Sequence, residues 1–286
     1  MSLLSYLPQD HDFTPRQIVT NDGVKLRALC QGKGRPIVFV HGFAQTALGF
    51  GRQLKPLGES YQTVAIDLRG HGSADKPDHG YRVGRLGADL NDAFLSLDLS
   101  DVTLVSHSMG CGVVWAYLEQ YGFGRIRDLV FIDRPACLTS DPTAAHPQQA
   151  LYGPNEVFEF AAALRQTKGH DIIEGLVRRM MSKSMPEAEI EWFIQQSLLL
   201  PRCDAAALFI STRFDDWSDF LKTIPCPTLV IAAENSMMSV ETMRLMANII
   251  PHATFKEFTG DKASHFMFWE QADEFNQVLK GFIESR

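Results

Sequence analysis

The stretch that most constrains this chain is residues 101–117, DVTLVSHSMGCGVVWAY, where a short β-branched run breaks at Ser106-His107-Ser108-Met109-Gly110 and resumes with helical character. Residues 101–105 read as a buried parallel strand, and Val113, Val114, Tyr117 and Leu118 recur near a helical period. A strand that turns sharply into a helix lifts Ser108 off the sheet. Its hydroxyl is then exposed, and the following backbone N–H groups, at a helix N-terminus, favour negative charge developing beside it. Such a turn needs small neighbours, which Ser106, Gly110 and Gly112 supply.

The rest of the chain sets this unit in a larger α/β arrangement. Asn21-Asp22-Gly23 reads as a hairpin turn between strands at 17–20 and 24–30, so the sheet starts antiparallel. Strands at 36–40, 62–66, 101–105 and 126–132 then alternate with helical stretches, including 46–57 and 83–97, as in a parallel sheet covered on both faces. The alternation stops at Asp133-Arg134-Pro135. From there the sequence is helical and rich in Met and Phe, with stretches at 156–165, 171–181 and 186–200, the last with Pro186 suited to its first turn. A strand at 226–233, a helix at 240–250, a strand at 254–258 and a helix striped by Phe275, Val278, Leu279 and Phe282 resume the earlier pattern. The expected division is a core of residues 1–133 and 224–286, with 134–223 inserted as a helical cap.

Composition narrows the function classes. With 286 residues and 45% hydrophobic content, the chain can bury one large core. A net charge of −7 without a run of five like charges argues against a nucleic-acid footprint and against a polybasic membrane patch. No apolar run approaches the ~18 residues of a membrane span, and no signal peptide is read. Five widely spaced cysteines with no C-x-x-C pair suit a reduced, cytoplasmic protein. The expected partner is a small, neutral or weakly polar molecule. No His-Glu-x-x-His or Cys/His cluster has ligand spacing, so no metal or cofactor is expected. Oligomeric state is not legible.

S-H-S-M-G at 106–110 resembles the nucleophile elbow, G-x-S-x-G, of the α/β-hydrolase superfamily, with Ser106 in place of the first glycine. Three more motifs carry that resemblance in the right order. VFVHGF at 38–43 looks like the strand-end motif that forms half of the oxyanion hole, DLRGHGS at 67–73 resembles the D-x-R-G-H-G-x-S loop, and GDKASHFMFW at 260–269 is similar to the segment carrying the triad histidine. The resemblance implies an α/β-hydrolase fold, a mostly parallel central sheet flanked by helices. It also implies acyl transfer by Ser108, with the backbone N–H groups of Phe43 and Met109 as oxyanion donors. His265 is the expected general base, since an imidazole is suited to taking a hydroxyl proton near pH 7 and this one follows the last strand. His41, His71 and His107 share the neighbourhood as scaffolding, and the other five histidines have no supporting context.

The catalytic acid is the harder assignment. In most of the superfamily it follows the strand corresponding to 228–233, in a pattern like G-x-x-D; here Ser236 stands in its place, after Ala233-Glu234-Asn235. Asp133, at the end of the strand after the elbow helix, is the alternative, and haloalkane dehalogenases and zearalenone-type lactonases of this fold include members with an acid there. The order Ser108, Asp133, His265 keeps the hydrolase order. Glu234 is the runner-up. Its longer arm could compensate for standing two residues early.

The function implied is a serine hydrolase cleaving a small or medium, mainly apolar carboxylic ester or lactone through an acyl-enzyme, with perhydrolysis able to share the site. Two other readings stay open: a cofactor-independent dioxygenase of the quinolone type, from which the chain departs at Met109 and at an ordinary His41-Gly42, and a non-catalytic receptor for a small ligand. Haloalkane dehalogenases and epoxide hydrolases use an aspartate nucleophile, and here the elbow carries Ser108. Phe158, Phe160, Met180, Met181, Trp192, Phe193, Phe209, Phe214 and Trp217 are candidates to line an apolar pocket under the cap.

Overall fold

In the computed structural model, residues 7–139, 151–166 and 169–286 are described. The chain opens with a short 3-10 turn and an antiparallel hairpin, β1 (Thr14–Val19) and β2 (Lys25–Gln31). Gly23 takes φ +85° in the turn between them, a conformation that glycine adopts without strain. Then follow β3 (Pro36–Val40), a 3-10 turn leading into α1 (Gly51–Leu57), β4 (Gln62–Asp67), α2 (Val83–Ser96), β5 (Val102–His107), α3 (Met109–Tyr121) and β6 (Ile126–Ile132). Among the described residues, five helices lie between β6 and the next strand: α4 (Pro154–Arg165), α5 (Gly169–Met180), α6 (Glu187–Ser197), α7 (Arg202–Ser211) and α8 (Ser218–Leu221). The chain closes with β7 (Thr228–Ala233), α9 (Val240–Ile249), β8 (Ala253–Phe258), α10 (Met267–Glu270) and α11 (Ala272–Glu284).

The eight strands form one sheet in the order β1-β2-β4-β3-β5-β6-β7-β8, antiparallel at β1/β2 and β2/β4 and parallel elsewhere. This is the α/β-hydrolase fold. Every residue of β3, β5 and β7 is buried, as expected where both faces of a parallel sheet are covered. Because β3, β5, β6 and β7 are parallel neighbours, their carboxyl ends emerge side by side. Ligands bind along that edge in open α/β sheets.

Differences from the sequence reading are local. Pro186 is the residue before α6, with the β-like ψ of 136°, and not in its first turn. The weak helix expected at 46–57 is a 3-10 turn (Ala47–Phe50) running into α1. Of the room expected behind Ser108, Gly110 provides the necessary part. A Cβ there would sit 2.5 Å from the Val40 carbonyl oxygen, whereas one at Gly112 would meet only Val83 at an ordinary 3.9 Å.

Candidate active site

Three of the carboxyl-end turns hold a non-glycine residue in the left-handed region: Ala44 after β3 (φ 52°), Ser108 after β5 (φ 52°) and Asp133 after β6 (φ 53°). Such backbone costs of order 1–3 kcal/mol per residue and persists only where its surroundings over-determine it. Here the surroundings are close-packed. The Gly110 contact with β3 fixes how near α3 approaches, and a Cβ on Gly42 would lie 3.1 Å from both His107 Nδ1 and Ser108 Cβ. The elbow thus presents Ser108 at the start of α3, opposite the turn that carries Phe43. Neither Phe43 nor Met109 has an acceptor for its backbone N–H among the described residues.

His265 reaches the same edge from the loop after β8. Its Nδ1 lies 2.6 Å from Asp133 Oδ2, with both side chains buried. The same Asp133 oxygen accepts a hydrogen bond from the Ser236 hydroxyl, which itself accepts the Met238 N–H at 3.2 Å. Ser236, read in the sequence as the place of a missing acid, is therefore a donor to the acid that is present. Burial pushes the Asp133 carboxyl upward, opposed by its hydrogen bonds to His265 and Ser236. Glu234 does not join this group. It is exposed, and its carboxylate accepts the Gly260 N–H at 2.9 Å.

The other buried histidines bind backbone. His41 donates from Nδ1 to the Gly42 carbonyl (2.8 Å) and accepts the Leu68 N–H at Nε2 (3.1 Å), tying the turn after β3 to the one after β4. His107 donates from Nε2 to the His265 carbonyl (3.0 Å), and the two rings lie 4.4 Å apart. His71 donates to the Arg69 carbonyl at 2.9 Å. Burial holds all three below the ordinary imidazole value, His71 at about 4. Arg69 is wholly buried and forks onto Asp89 and Asp22, each at 2.8 Å, which anchors the 67–73 loop to the first hairpin and to α2.

Ser108 and His265 line one pocket with Gly42, Phe43, Gln45, Met237 and Met238, and the segment between β6 and β7 adds Leu138, Tyr152, Leu176, Met180 and Arg213. No hydrogen bond joins the Ser108 hydroxyl to the imidazole; such bonds are often long before substrate binds. Of the aromatic and Met candidates, Met180 alone lines this pocket. Trp192 and Phe193 pack on Trp269, Phe209 stacks on Phe160 and meets Phe43 edge to face, and Phe158 and Phe214 are exposed. Gln45, Tyr152, Arg213, Met237 and Met238 had no sequence signal, because loops far apart in the chain bring them together. Among the described residues, no cluster of three or more His, Cys, Asp or Glu side chains could hold a metal ion, and no helix is long and apolar enough to cross a membrane.

Comparison with known proteins agrees with this architecture. The model of the alpha/beta hydrolase family matches residues 37–278. A non-heme chloroperoxidase of Kitasatospora aureofaciens is 30% identical over 279 residues, covering 92% of this chain and 98% of its own. Among solved structures, a bromoperoxidase from Bacillus anthracis superposes with a TM-score of 0.87 at 22% identity (95% of this chain, 100% of that one). An esterase from Exiguobacterium antarcticum superposes at 0.86 and 25% identity (94% and 98%).

Proposed function

The chain belongs to the alpha/beta hydrolase family, and from that premise we propose that it hydrolyses carboxylic esters or lactones through an acyl-enzyme on Ser108. The observation that carries the reading is the 2.6 Å His265–Asp133 pair beneath a pocket that a strained Ser108 enters. The esterase among its structural neighbours supports it.

In the proposed reaction the Ser108 hydroxyl attacks the carbonyl carbon while His265 Nε2 takes its proton. Asp133 accepts from Nδ1, which selects the tautomer with a free Nε2 and stabilises the imidazolium that forms. Negative charge developing on the carbonyl oxygen is met by the Phe43 and Met109 N–H groups, and each such donor contributes about 3 kcal/mol in related sites. His265 then protonates the departing alcohol, or the alcohol end of an opened lactone. Water attacks the acyl-enzyme with His265 as base, releasing the acid and restoring Ser108. Ser236 acts as a positioning residue, holding Asp133 Oδ2 against the imidazole. The described residues between β6 and β7 serve as a cap over the pocket, whose lining sets the substrate.

The name of the Kitasatospora relative favours a second use of the same acyl-enzyme, in which hydrogen peroxide replaces water and the peracid formed oxidises halide. The deciding assay is hydrolysis of p-nitrophenyl acetate and butyrate by the wild type and by Ser108→Ala, with folding checked by circular dichroism. Turnover lost in Ser108→Ala supports the reading. A wild type inert toward both esters and unlabelled by a fluorophosphonate would overturn it in favour of oxygenation or ligand binding.

A further inference from the structure

Two guanidiniums lie buried beside the Ser108 pocket, and their treatment differs from that of Arg69. Arg213 is 7% exposed and lines the pocket; Arg134 is 1% exposed and donates from Nη2 to the Thr212 carbonyl at 2.8 Å and from Nε to the Pro135 carbonyl at 3.2 Å. Arg213 donates from Nη1 to the Thr212 hydroxyl, its Nε has no acceptor, and the Tyr152 phenol is near enough to interact with it. Where Arg69 meets two carboxylates, no Asp or Glu among the described residues comes within ion-pairing distance of Arg213 or Arg134; the exposed Asp215 acts on Arg134 from farther away, and no carboxylate does so on Arg213. The faces around Arg213 are aromatic: its central carbon lies 4.0 Å from the Phe209 ring centroid, 5.2 Å from Tyr152 and 5.9 Å from Phe43. Such faces ease burial of a cation but bring no negative charge.

A buried charge is ordinarily paired or hydrogen-bonded throughout, because desolvation otherwise opposes it. We propose that Arg213 is the anion-recognition group of this pocket, and that the ester or lactone turned over here carries a carboxylate that seats on the guanidinium. This rests on the hydrolase reading and narrows its substrate class from mainly apolar to monoanionic. The planar fork of arginine matches the two oxygens of a carboxylate, and a desolvated site strengthens the pair. Burial and the neighbouring Arg213 hold Arg134 down to about 9, and burial lowers Arg213 as well, so a bound anion would relieve both. An outer cavity adjoining at Tyr152 and Met237 carries Glu156, Glu159 and Arg179 together, so it offers no single sign of charge. Selection for the anion therefore falls to Arg213.

The test compares matched esters on the wild type: mono-p-nitrophenyl glutarate against p-nitrophenyl valerate for a charge on the acyl side, and 4-acetoxybenzoate against 4-acetoxybenzamide for one on the alcohol side. The expected result is a preference of roughly 10- to 100-fold in kcat/KM for the anionic member of one pair. In Arg213→Met the ratio collapses toward one, and in Arg213→Lys it is partly restored. Ratios within about threefold of one for both wild-type pairs would overturn the proposal while leaving the hydrolase reading intact. Thermal melting of Ser108→Ala with millimolar glutarate, 4-hydroxybenzoate or neutral glutaramide gives a readout independent of turnover. Stabilisation by a carboxylate alone, absent in the Ser108→Ala, Arg213→Met double variant, supports the anion site even if no ester is cleaved. No carboxylate-specific shift, in an enzyme that cleaves no ester, overturns both readings. If Arg213→Met fails to fold, the wild-type ratios and the Ser108→Ala melts decide.

Discussion

On one side of the Ser108 pocket, His41 in the turn after β3 and His107 at the end of β5 are held neutral, each donating to a backbone carbonyl, and the turn after β6 holds Asp133 against His265 and Ser236. On the other side, the segment between β6 and β7 buries Arg134 and Arg213 with no carboxylate partner among the described residues. Both sides are buried to similar degree, so burial does not explain the contrast. On the strand-end side the buried Asp133 carboxylate is held against an imidazole, though its Oδ1 and His107 Nδ1 have no hydrogen-bond partner, whereas on the insertion side no carboxylate of the described residues comes within ion-pairing distance of either guanidinium. A side whose carboxylate already has its partner in the protein is suited to chemistry that must be the same for every substrate. A side whose guanidiniums have no close carboxylate is suited to choosing among substrates.

That contrast is broken most directly at Ser108. Ser108→Ala should lower kcat/KM by at least ~1,000-fold on anionic and neutral esters alike, and a loss confined to one class would erase the division of labour. Asp133→Asn should cost on the order of 100- to 10,000-fold, again without regard to substrate charge, because an amide can hold the wrong imidazole tautomer. Steady-state kinetics on a charged and a neutral ester checks both.

The strand-end side can also be probed through protons. His41, His71 and His107 have folded-state values below those of the unfolded chain, so between about pH 6.5 and the folded values the unfolded state binds more protons. Stability should therefore fall as pH drops from 7 toward 5, each histidine contributing up to ~1.4 kcal/mol per pH unit within that window. Urea denaturation at pH 7, 6 and 5 measures the slope. A flat profile would mean that these imidazoles are protonated in the folded protein.

Smaller effects sharpen the boundary of the site. Ser236→Ala removes one hydrogen bond to Asp133 and should reduce kcat by roughly 10- to 100-fold, in line with about 1.5–3 kcal/mol for a bond to a charged group. The acidic limb of its pH–rate profile should move, which loss of packing alone would not do. Glu234→Gln should leave kcat/KM within about twofold, since that residue is exposed and its carboxylate accepts the Gly260 N–H away from His265. A large loss in Glu234→Gln would return the acid to the strand that most of the superfamily uses.

Much of the strand-end side could be read from the chain because its residues are locally specified. The strand-turn-helix around Ser108 is written in consecutive residues, and Asp133 and His265 stand at strand ends that the alternation marks. Ser236 was legible as a departure but not as a donor, because its role depends on the turn after β7 meeting the turn after β6. Arg213 was not legible at all. An arginine in a helical, Met-rich stretch is ordinarily solvated, and only the packing of α7 and residues 134–139 around it takes it out of water. The aromatic candidates failed for a related reason: at helical spacing, Trp192 and Phe193 are equally suited to packing on Trp269, and they do so.

The contact of Gly110 with the Val40 and His41 carbonyls has a consequence for how such a protein can change over generations. It couples the two N–H groups proposed as oxyanion donors, Met109 on α3 and Phe43 on the turn after β3, at a spacing that no side chain intervenes to adjust. Variation that reshapes the reacting centre must shift both at once, which single substitutions rarely achieve. Variation in the segment between β6 and β7 meets no such coupling. New substrates are therefore reached by altering that segment over an unaltered reacting centre, and a library that randomises residues around Arg213 while sparing 40–44 and 106–110 samples the part of sequence space where activity survives.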